Sequence, residues 1–508
     1  MKLPRSLFIP LISLIFLIGY FSFLQWSPTY PDPDSFYHIK MAVLMQDNLV
    51  IKTFPWIKFA DFTTNFTDHQ FLYHVLLIPF VHFFPPLLGG KIATVLFALL
   101  ALMAFYFFLK KWHIKSPLFY TLILLASAPF IFRINLAKTS ALSLVILLLA
   151  LTFLWQKKYL ALTVVSFIYV WFYGGWSLLV ILLFSQLISE LIIEKKINWR
   201  AILSIGGGLS LGLIINPYFP HNIFFYWQQM IQIGLVNYQS QIQVGQEWYP
   251  YTPLDFLANN IFIFLLGIFS FAFLMYKIKH QQPINQENLA TKFIKIFTLF
   301  IFAGILCILT LKSQRFIEYF APFAILASAF ILNILWPDNF SLPQEILKNF
   351  TAKNKINAAL IIYLATVFIL FFALNTLKIQ EQMSSQYQWD YLQEPSLWLK
   401  NNTPEGSLVF HASWGDWPML FYHNTHNTYI NGLDPTFFYL KDKNLYEEWK
   451  DIGWGKTKID LAKKIKEDFG AEWVLVKNSE TELLSAIRTN KNFELLFANK
   501  EAKIYLLQ

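Results

Sequence analysis

Eleven apolar stretches succeed one another between residues 6 and 378, and this succession restricts the chain to a polytopic α-helical membrane protein. A hydrocarbon layer offers no water to backbone N–H and C=O groups, so each crossing must satisfy its own hydrogen bonds, as a helix does. The stretches run at about 6 to 24, 91 to 109, 117 to 132, 136 to 154, 159 to 172, 176 to 193, 200 to 217, 254 to 276, 293 to 311, 315 to 335 and 357 to 378. Of the 508 residues 56% are apolar and 14% charged, which leaves little polar surface to solvate a water-soluble globule of this size. One further apolar stretch, 71 to 88, holds His74, Pro79, His82, Pro85 and Pro86, and its prolines would leave backbone groups unsatisfied in lipid. It reads as a juxtamembrane or re-entrant segment.

The charges order these spans. The 6 to 24 stretch resembles the apolar part of a signal peptide, but no small-x-small cleavage site follows, so it reads as an uncleaved anchor. Lys2 and Arg5 precede it and keep the N-terminus inside. Eleven spans then place Lys110, Lys111, Lys115, Lys157, Lys158, Lys195, Lys196, Arg200, Lys277, Lys279 and the 345 to 356 linker inside as well. Outside fall the loops 25 to 90 and 218 to 253, the turn Lys312 to Arg315, and everything after 379. The expected location is the cytoplasmic membrane.

The net charge of +9 follows from these basic inner loops, and no basic stripe with interleaved aromatics supports nucleic-acid binding. The single cysteine, Cys307, lies in an apolar run and excludes a disulfide framework or a cysteine metal site. Residues 1–378 form the membrane domain. In 379–508 short apolar runs, Ser407 to His411, Trp473 to Lys477 and Ala502 to Leu507, alternate with helical patterns such as Asp460 to Phe469, which predicts a small extracytoplasmic α/β domain. No internal repeat appears, which weakens a secondary-transporter reading.

Four segments carry residues able to do chemistry. Asp32-Pro33-Asp34-Ser35-Phe36-Tyr37-His38-Ile39-Lys40 sets two carboxylates and a histidine just past the first span; they suit a hard cation or a proton acceptor, or else form a solvated turn in which Asp32 and Pro33 end a helix. In Arg315-Phe316-Ile317-Glu318-Tyr319, the arginine can fork onto phosphate oxygens, or pair with Glu318 on a shared helix face. Glu247, in Gln246-Glu247-Trp248-Tyr249-Pro250, sits in an outer loop able to close over an extended substrate, or in an ordinary aromatic-belt loop. Trp414 and Trp417 bracket Asp416 after the Val409-Phe410 strand, suggesting a recognition pocket for a small polar group. His423 and His426 lack a third ligand at fixed spacing and read as non-metal residues.

Taken in this order, the segments resemble the catalytic subunit of oligosaccharyltransferase, within the GT-C glycosyltransferase superfamily. The resemblance implies that Asp34 is the first-loop carboxylate and metal ligand, Glu247 the mobile-loop glutamate that helps hold the acceptor, and Arg315 with Tyr319 the arginine segment at the donor's phosphates. It implies that Trp414 and Asp416 stand on the C-terminal acceptor motif. The sequence departs from the family in two places. The turn Arg133-Ile134-Asn135-Leu136-Ala137-Lys138-Thr139-Ser140 lacks the second acidic pair, and the C-terminal motif carries Gly415 for Trp and Trp417-Pro418 for Tyr-Gly.

The expected function is therefore transfer of a sugar or oligosaccharide from a polyprenyl-phosphate or pyrophosphate donor to a protein, glycan or lipid acceptor at the outer face. Asp34 would act as base or hold Mn²⁺ or Mg²⁺, and Arg315 and His38 would stabilise the departing phosphate; no organic cofactor is expected. The rivals are a metal-independent transferase of single monophosphate-linked sugars, a lipid-linked sugar flippase, and a scaffold whose C-terminal domain binds a partner.

Overall fold

The computed structural model describes residues 5–60, 62–280, 288–336 and 355–508. Lys2 and residues 345–354 of the basic linker lie outside the described residues. Among those described, six helices are long and apolar enough to cross a membrane: Pro86–Lys111, Ser177–Glu194, Ile261–Lys279, Leu289–Lys312, Gln314–Leu335 and Ala358–Ser384. Five shorter apolar helices accompany them: Ile12–Leu24, Phe71–Phe83, Ser140–Trp155, Tyr159–Phe172 and Trp199–Ile214.

The stretch expected to cross once at 117 to 132 is two helices, Pro117–Leu125 and Ala128–Ile134, bent by 84°. Its residues give the reason. Ser127 is extended, with ψ of 98°, and Pro129 follows in the first turn of the second helix, where its ring forbids the bond that would continue the first. Ser127 Oγ turns to Asn260 Oδ1 at 2.7 Å, and Asn260 itself interrupts the 254 to 276 stretch between helices Pro253–Asn259 and Ile261–Lys279.

The chain divides into two compact units. The first comprises residues 1–27, 93–213 and 247–385. Its most enclosed element is Gln314–Leu335, with 89% of its apolar window buried; it packs on Leu289–Lys312 and Ile261–Lys279. Helix Trp199–Ile214 approaches Tyr159–Phe172 through Gly208 and Gly212, where an added Cβ would meet the Thr163 carbonyl oxygen at 2.4 Å and that of Phe167 at 2.9 Å. The Ala358–Ser384 window has no buried residue and shows Leu360, Ile362, Tyr363 and Leu364, the all-apolar exterior of a helix suited to lipid.

The second unit comprises residues 28–92, 214–246 and 386–508, so parts of both long loops fold with the C-terminal residues. Strand β1 (Thr29–Tyr30) pairs antiparallel with β2 (Tyr387–Gln388). A five-stranded sheet is built from β3 (Leu408–His411), β4 (Thr428–Tyr429), β5 (Trp473–Lys477), β6 (Phe493–Ala498) and β7 (Ala502–Leu507), in the order β4-β3-β5-β7-β6. β3 runs parallel to β4 and β5, and β7 antiparallel to β5 and β6. The first loop extends the sheet edge: Ile57 bridges Tyr429, whose N–H donates to the Trp56 carbonyl at 3.2 Å. An aromatic core joins the same partners, with Trp417 stacked on Phe421 at 4.8 Å beside Tyr37 and Phe54.

Candidate functional site

In the first unit the bend at Ser127 sets Arg133 at the end of a seven-residue helix, buried, among charged side chains far away in sequence. Arg133 Nε donates to Glu318 Oε2 at 2.8 Å, and its Nη1 donates to Glu247 Oε2. Lys138 Nζ reaches the same Glu247 oxygen at 3.4 Å, and Arg315 Nη1 lies 3.6 Å from Glu247 Oε1. Arg315 also donates to the Tyr173 hydroxyl at 3.0 Å and lies 4.3 Å from the centre of the Trp248 ring. Three cations thus enclose one loop carboxylate, with Glu318 held behind them.

The loop that carries Glu247 is pinned by its backbone. Ser313 Oγ donates to the Glu247 carbonyl at 2.9 Å, and Gln314 N–H to that of Tyr249 at 3.0 Å. Burial alone would raise the Glu247 carboxyl, yet the charges of Lys138, Arg133 and Arg315 hold it well below the usual carboxylate range. It is a fixed anion. Arg315 occupies a 3₁₀ turn, Gln314–Phe316, ahead of the helix that begins at Ile317. The α-helical spacing that would pair Arg315 with Glu318 does not apply there, and Glu318 turns to Arg133 instead. Tyr319 is buried and donates to Ser143 Oγ at 2.9 Å.

The other expected residues lie in the second unit. Asp34 opens helix Asp34–Leu44, where its charge complements the positive end of the helix dipole. Asp32 Oδ1 accepts from Ser35 N at 3.1 Å, so Asp32 starts this helix rather than ending the preceding one, which stops at Leu24. His38, one turn after Asp34, is buried and its Nδ1 lies 2.8 Å from His74 Nε2. His74 Nδ1 donates to Asp68 Oδ2 at 2.7 Å, which completes a buried Asp68–His74–His38 chain.

Asp416 is buried and accepts from Lys477 Nζ at 2.9 Å, while Lys477 stands 3.7 Å from Glu480. Burial raises the Asp416 carboxyl against the opposing Lys477 charge. Trp414 Nε1 donates to the Gln243 carbonyl at 2.9 Å. Trp417 is fully buried and its Nε1 donates to the Trp56 carbonyl at 3.2 Å, a core position rather than a lining one.

Mn²⁺ or Mg²⁺ takes converging oxygen ligands. Among the described residues no three of His, Cys, Asp and Glu gather to hold an ion, and the turn 133–140 brings cations to Glu247. This donor set does not fit a site with carboxylates on both sides.

Sequence reasoning missed Arg133, Lys138, Tyr173, Asp68 and His74 as members of these clusters. The first two carried a signal, since two cations flank an apolar stretch where intramembrane charge is costly. The pairing of Asp68, His74 and His38 spans up to 36 residues and left no local pattern.

No family model matches the sequence, and no curated protein sequence does. Solved structures match over nearly all of it. The archaeal oligosaccharyltransferase AglB from Archaeoglobus fulgidus, in complex with an inhibitory peptide and a dolichol-phosphate, aligns with 99% of this chain and 74% of its own, with TM-score 0.64 and 12% identity. ArnT from Cupriavidus metallidurans, bound to undecaprenyl phosphate, aligns with 99% of this chain and 98% of its own, with TM-score 0.56 and 12% identity. The arabinofuranosyltransferase AftD from Mycobacteria covers 100% of this chain with 40% of its own, with TM-score 0.58 and 11% identity. All three are GT-C glycosyltransferases, and likeness at such identity is a likeness of fold. This multi-pass chain has the fold of the GT-C membrane glycosyltransferases.

Proposed function

We propose that the chain is a membrane glycosyltransferase that takes its sugar from a polyprenyl-phosphate or pyrophosphate carrier. The observation that carries this reading is the convergence of Arg133, Lys138 and Arg315 on one loop carboxylate, in a chain of GT-C fold. Three cations gather there in a largely buried place, where charge is worth far more than in water, and a guanidinium among them suits the oxygens of a departing phosphate. Two structures of this fold were solved with polyprenyl-type phosphates, dolichol-phosphate for AglB and undecaprenyl phosphate for ArnT, and that supports the same carrier class here.

The reaction follows as a displacement. The acceptor attacks the anomeric carbon, the carbon–oxygen bond to phosphate breaks, and the phosphate leaves with the electron pair. Arg315 stabilises the charge that develops on it, its planar guanidinium resting on the Trp248 ring and oriented by Tyr173. Asp34 takes the acceptor's proton, a role that rests on its place after the first span and on the family resemblance. The acceptor side, with the loops 25 to 90 and 218 to 253 and the residues after 379, is assigned to the outer face by the basic inner loops.

The cations of the 133–140 turn favour one narrower reading: a metal-independent transferase using a single sugar on a monophosphate. Label transfer from radiolabelled polyprenyl-linked sugars to peptide, glycan and lipid acceptors tests both, with wild type and Asp34→Ala, each with and without a chelator. Transfer lost in Asp34→Ala supports the enzyme. Transfer that survives chelation selects the narrower reading, and equal transfer by both proteins overturns the role of Asp34.

A further inference from the structure

We infer that the second unit binds a saccharide acceptor at the carboxyl ends of β3 and β5, through Asp416, Lys477, Glu480, Tyr387 and Tyr391. This names the acceptor class of the proposed transfer and rests on that reading.

The sheet topology selects the place. β3 lies between β4 and β5 and runs parallel to both, so the chain leaves β3 toward one neighbour and reaches the other only later. In open α/β sheets such a switch point leaves a crevice at the carboxyl ends of the strands, and ligands bind there. The residues beyond those ends are polar. Past β3, which ends at His411, the 3₁₀ turn Trp414–Asp416 brings Asp416 to Lys477 Nζ at 2.9 Å. Lys477 is the last residue of β5; its N–H donates to Glu480 Oε2 at 2.9 Å, and its Nζ stands 3.7 Å from Glu480 Oε1.

The segment at β2 brings two rings. Tyr387 and Tyr391 are half-buried, with ring centres 5.8 Å apart. Both lie within electrostatic reach of the polar cluster: burial raises each hydroxyl, Asp416 adds and Lys477 opposes. The β1–β2 pairing sets Tyr387 opposite Tyr30, two residues before Asp32, and the charges of Asp32 and Asp34 also act on the Tyr387 hydroxyl. The same unit thus holds the cluster and the carboxylate assigned to take the acceptor's proton.

These groups suit a polyhydroxyl ligand. A sugar ring offers adjacent hydroxyls, each both donor and acceptor, and an apolar C–H face that packs on an aromatic ring. One ammonium between two carboxylates supplies donors and acceptors side by side, and Lys477 and Glu480 keep 17% and 15% of their side chains exposed to meet a ligand. The cluster holds no surplus of positive charge to draw a phosphate or an acidic peptide. A peptide hydroxyl read by Trp414 and Asp416 would find both engaged, Asp416 by Lys477 and the Trp414 N–H by the Gln243 carbonyl.

The experiment applies the fluorescently labelled full chain in lipid nanodiscs to an array of immobilised oligosaccharides and peptides, as wild type, Tyr391→Ala, Tyr391→Phe and Lys477→Met. Binding of undecaprenyl phosphate, against undecaprenol, is measured on the same samples. Wild type is expected to be retained on oligosaccharides and not on peptides. Tyr391→Ala and Lys477→Met are expected to lose about tenfold in retention, and Tyr391→Phe, which keeps the ring, to lose less. Lys477→Met leaves Asp416 buried and uncompensated, so Tyr391→Ala, at a half-buried position, decides the matter should that variant fail to fold.

Retention on peptides alone, or on nothing, overturns the inference, as does equal oligosaccharide retention by all four proteins; specific binding of undecaprenyl phosphate in those cases leaves the donor reading standing. Oligosaccharide retention that falls in the variants, with undecaprenyl phosphate bound no better than undecaprenol, supports the saccharide site and overturns the donor reading instead.

Discussion

Arg133 shows how one residue can serve fold and site together. It compensates the buried Glu318, whose side chain is 1% exposed, and it holds one oxygen of Glu247. Removing one partner of a buried pair costs about 3–5 kcal/mol, because the other charge is left in a low-dielectric place. Arg133→Ala is expected to lose stability of that order in thermal unfolding of the detergent-solubilised chain, and adding Glu318→Ala is expected to restore part of it. In the second unit, burial pushes the Glu480 carboxyl up to about 7, with Lys477 opposing and Asp416 adding. The unfolded chain then releases this proton first, near the ordinary 4.5, so stability falls as pH rises from there to about 7 and levels off above. Melting curves across that window are expected to flatten in Glu480→Gln; an unaltered slope would contradict the assignment. Arg315 stands out in the sequence because charge at a membrane span's end is rare and visible, and the structure brings it to Glu247. Arg133 and Lys138 were passed over because their turn was read for the carboxylates it lacks, and their partners lie 109 to 185 residues away.

Elements were legible where periodicity and length decide, and less so where single residues break them. The strands read at Trp473 to Lys477 and Ala502 to Leu507 coincide with β5 and β7, and the Asp460 to Phe469 pattern contains helix Leu461–Glu467. The 84° bend leaves no mark in the hydropathy because apolar composition continues across it, although Ser127 and Pro129 supply its cause. Close contacts at glycines were also invisible in composition. Gly208 and Gly212 let two helices of the first unit approach to backbone contact, so Gly208→Leu is expected to force them apart and cost about 1–3 kcal/mol by overpacking. In the second unit a Cβ on Gly432 would lie 2.3 Å from the Trp417 ring, and Gly432→Ala is expected to destabilise by a similar amount. Thermal unfolding of the two variants checks both.

At the scale of the whole molecule, the spans expected from hydropathy correspond to helices, of which six have the full length and composition to cross a bilayer, or seven if the bent pair counts as one. The grouping of residues 28–92 and 214–246 with 386–508 was not legible, because it depends on pairings such as β1 with β2 and Ile57 with Tyr429 that join distant segments. The fold is shared with AglB, ArnT and AftD at 11 to 12% identity, so activity must be argued from the cation cluster rather than from kinship. The most direct measurement is release of labelled sugar from a polyprenyl-phosphate carrier, by wild type against Arg315→Ala and Arg315→Lys in the same nanodiscs. Loss of one oxyanion donor in such a site costs about 10²–10³ in rate, so Arg315→Ala is expected to fall by that factor, with Arg315→Lys between it and wild type. Equal release by all three proteins would contradict the assignment of this cluster to the donor's phosphate.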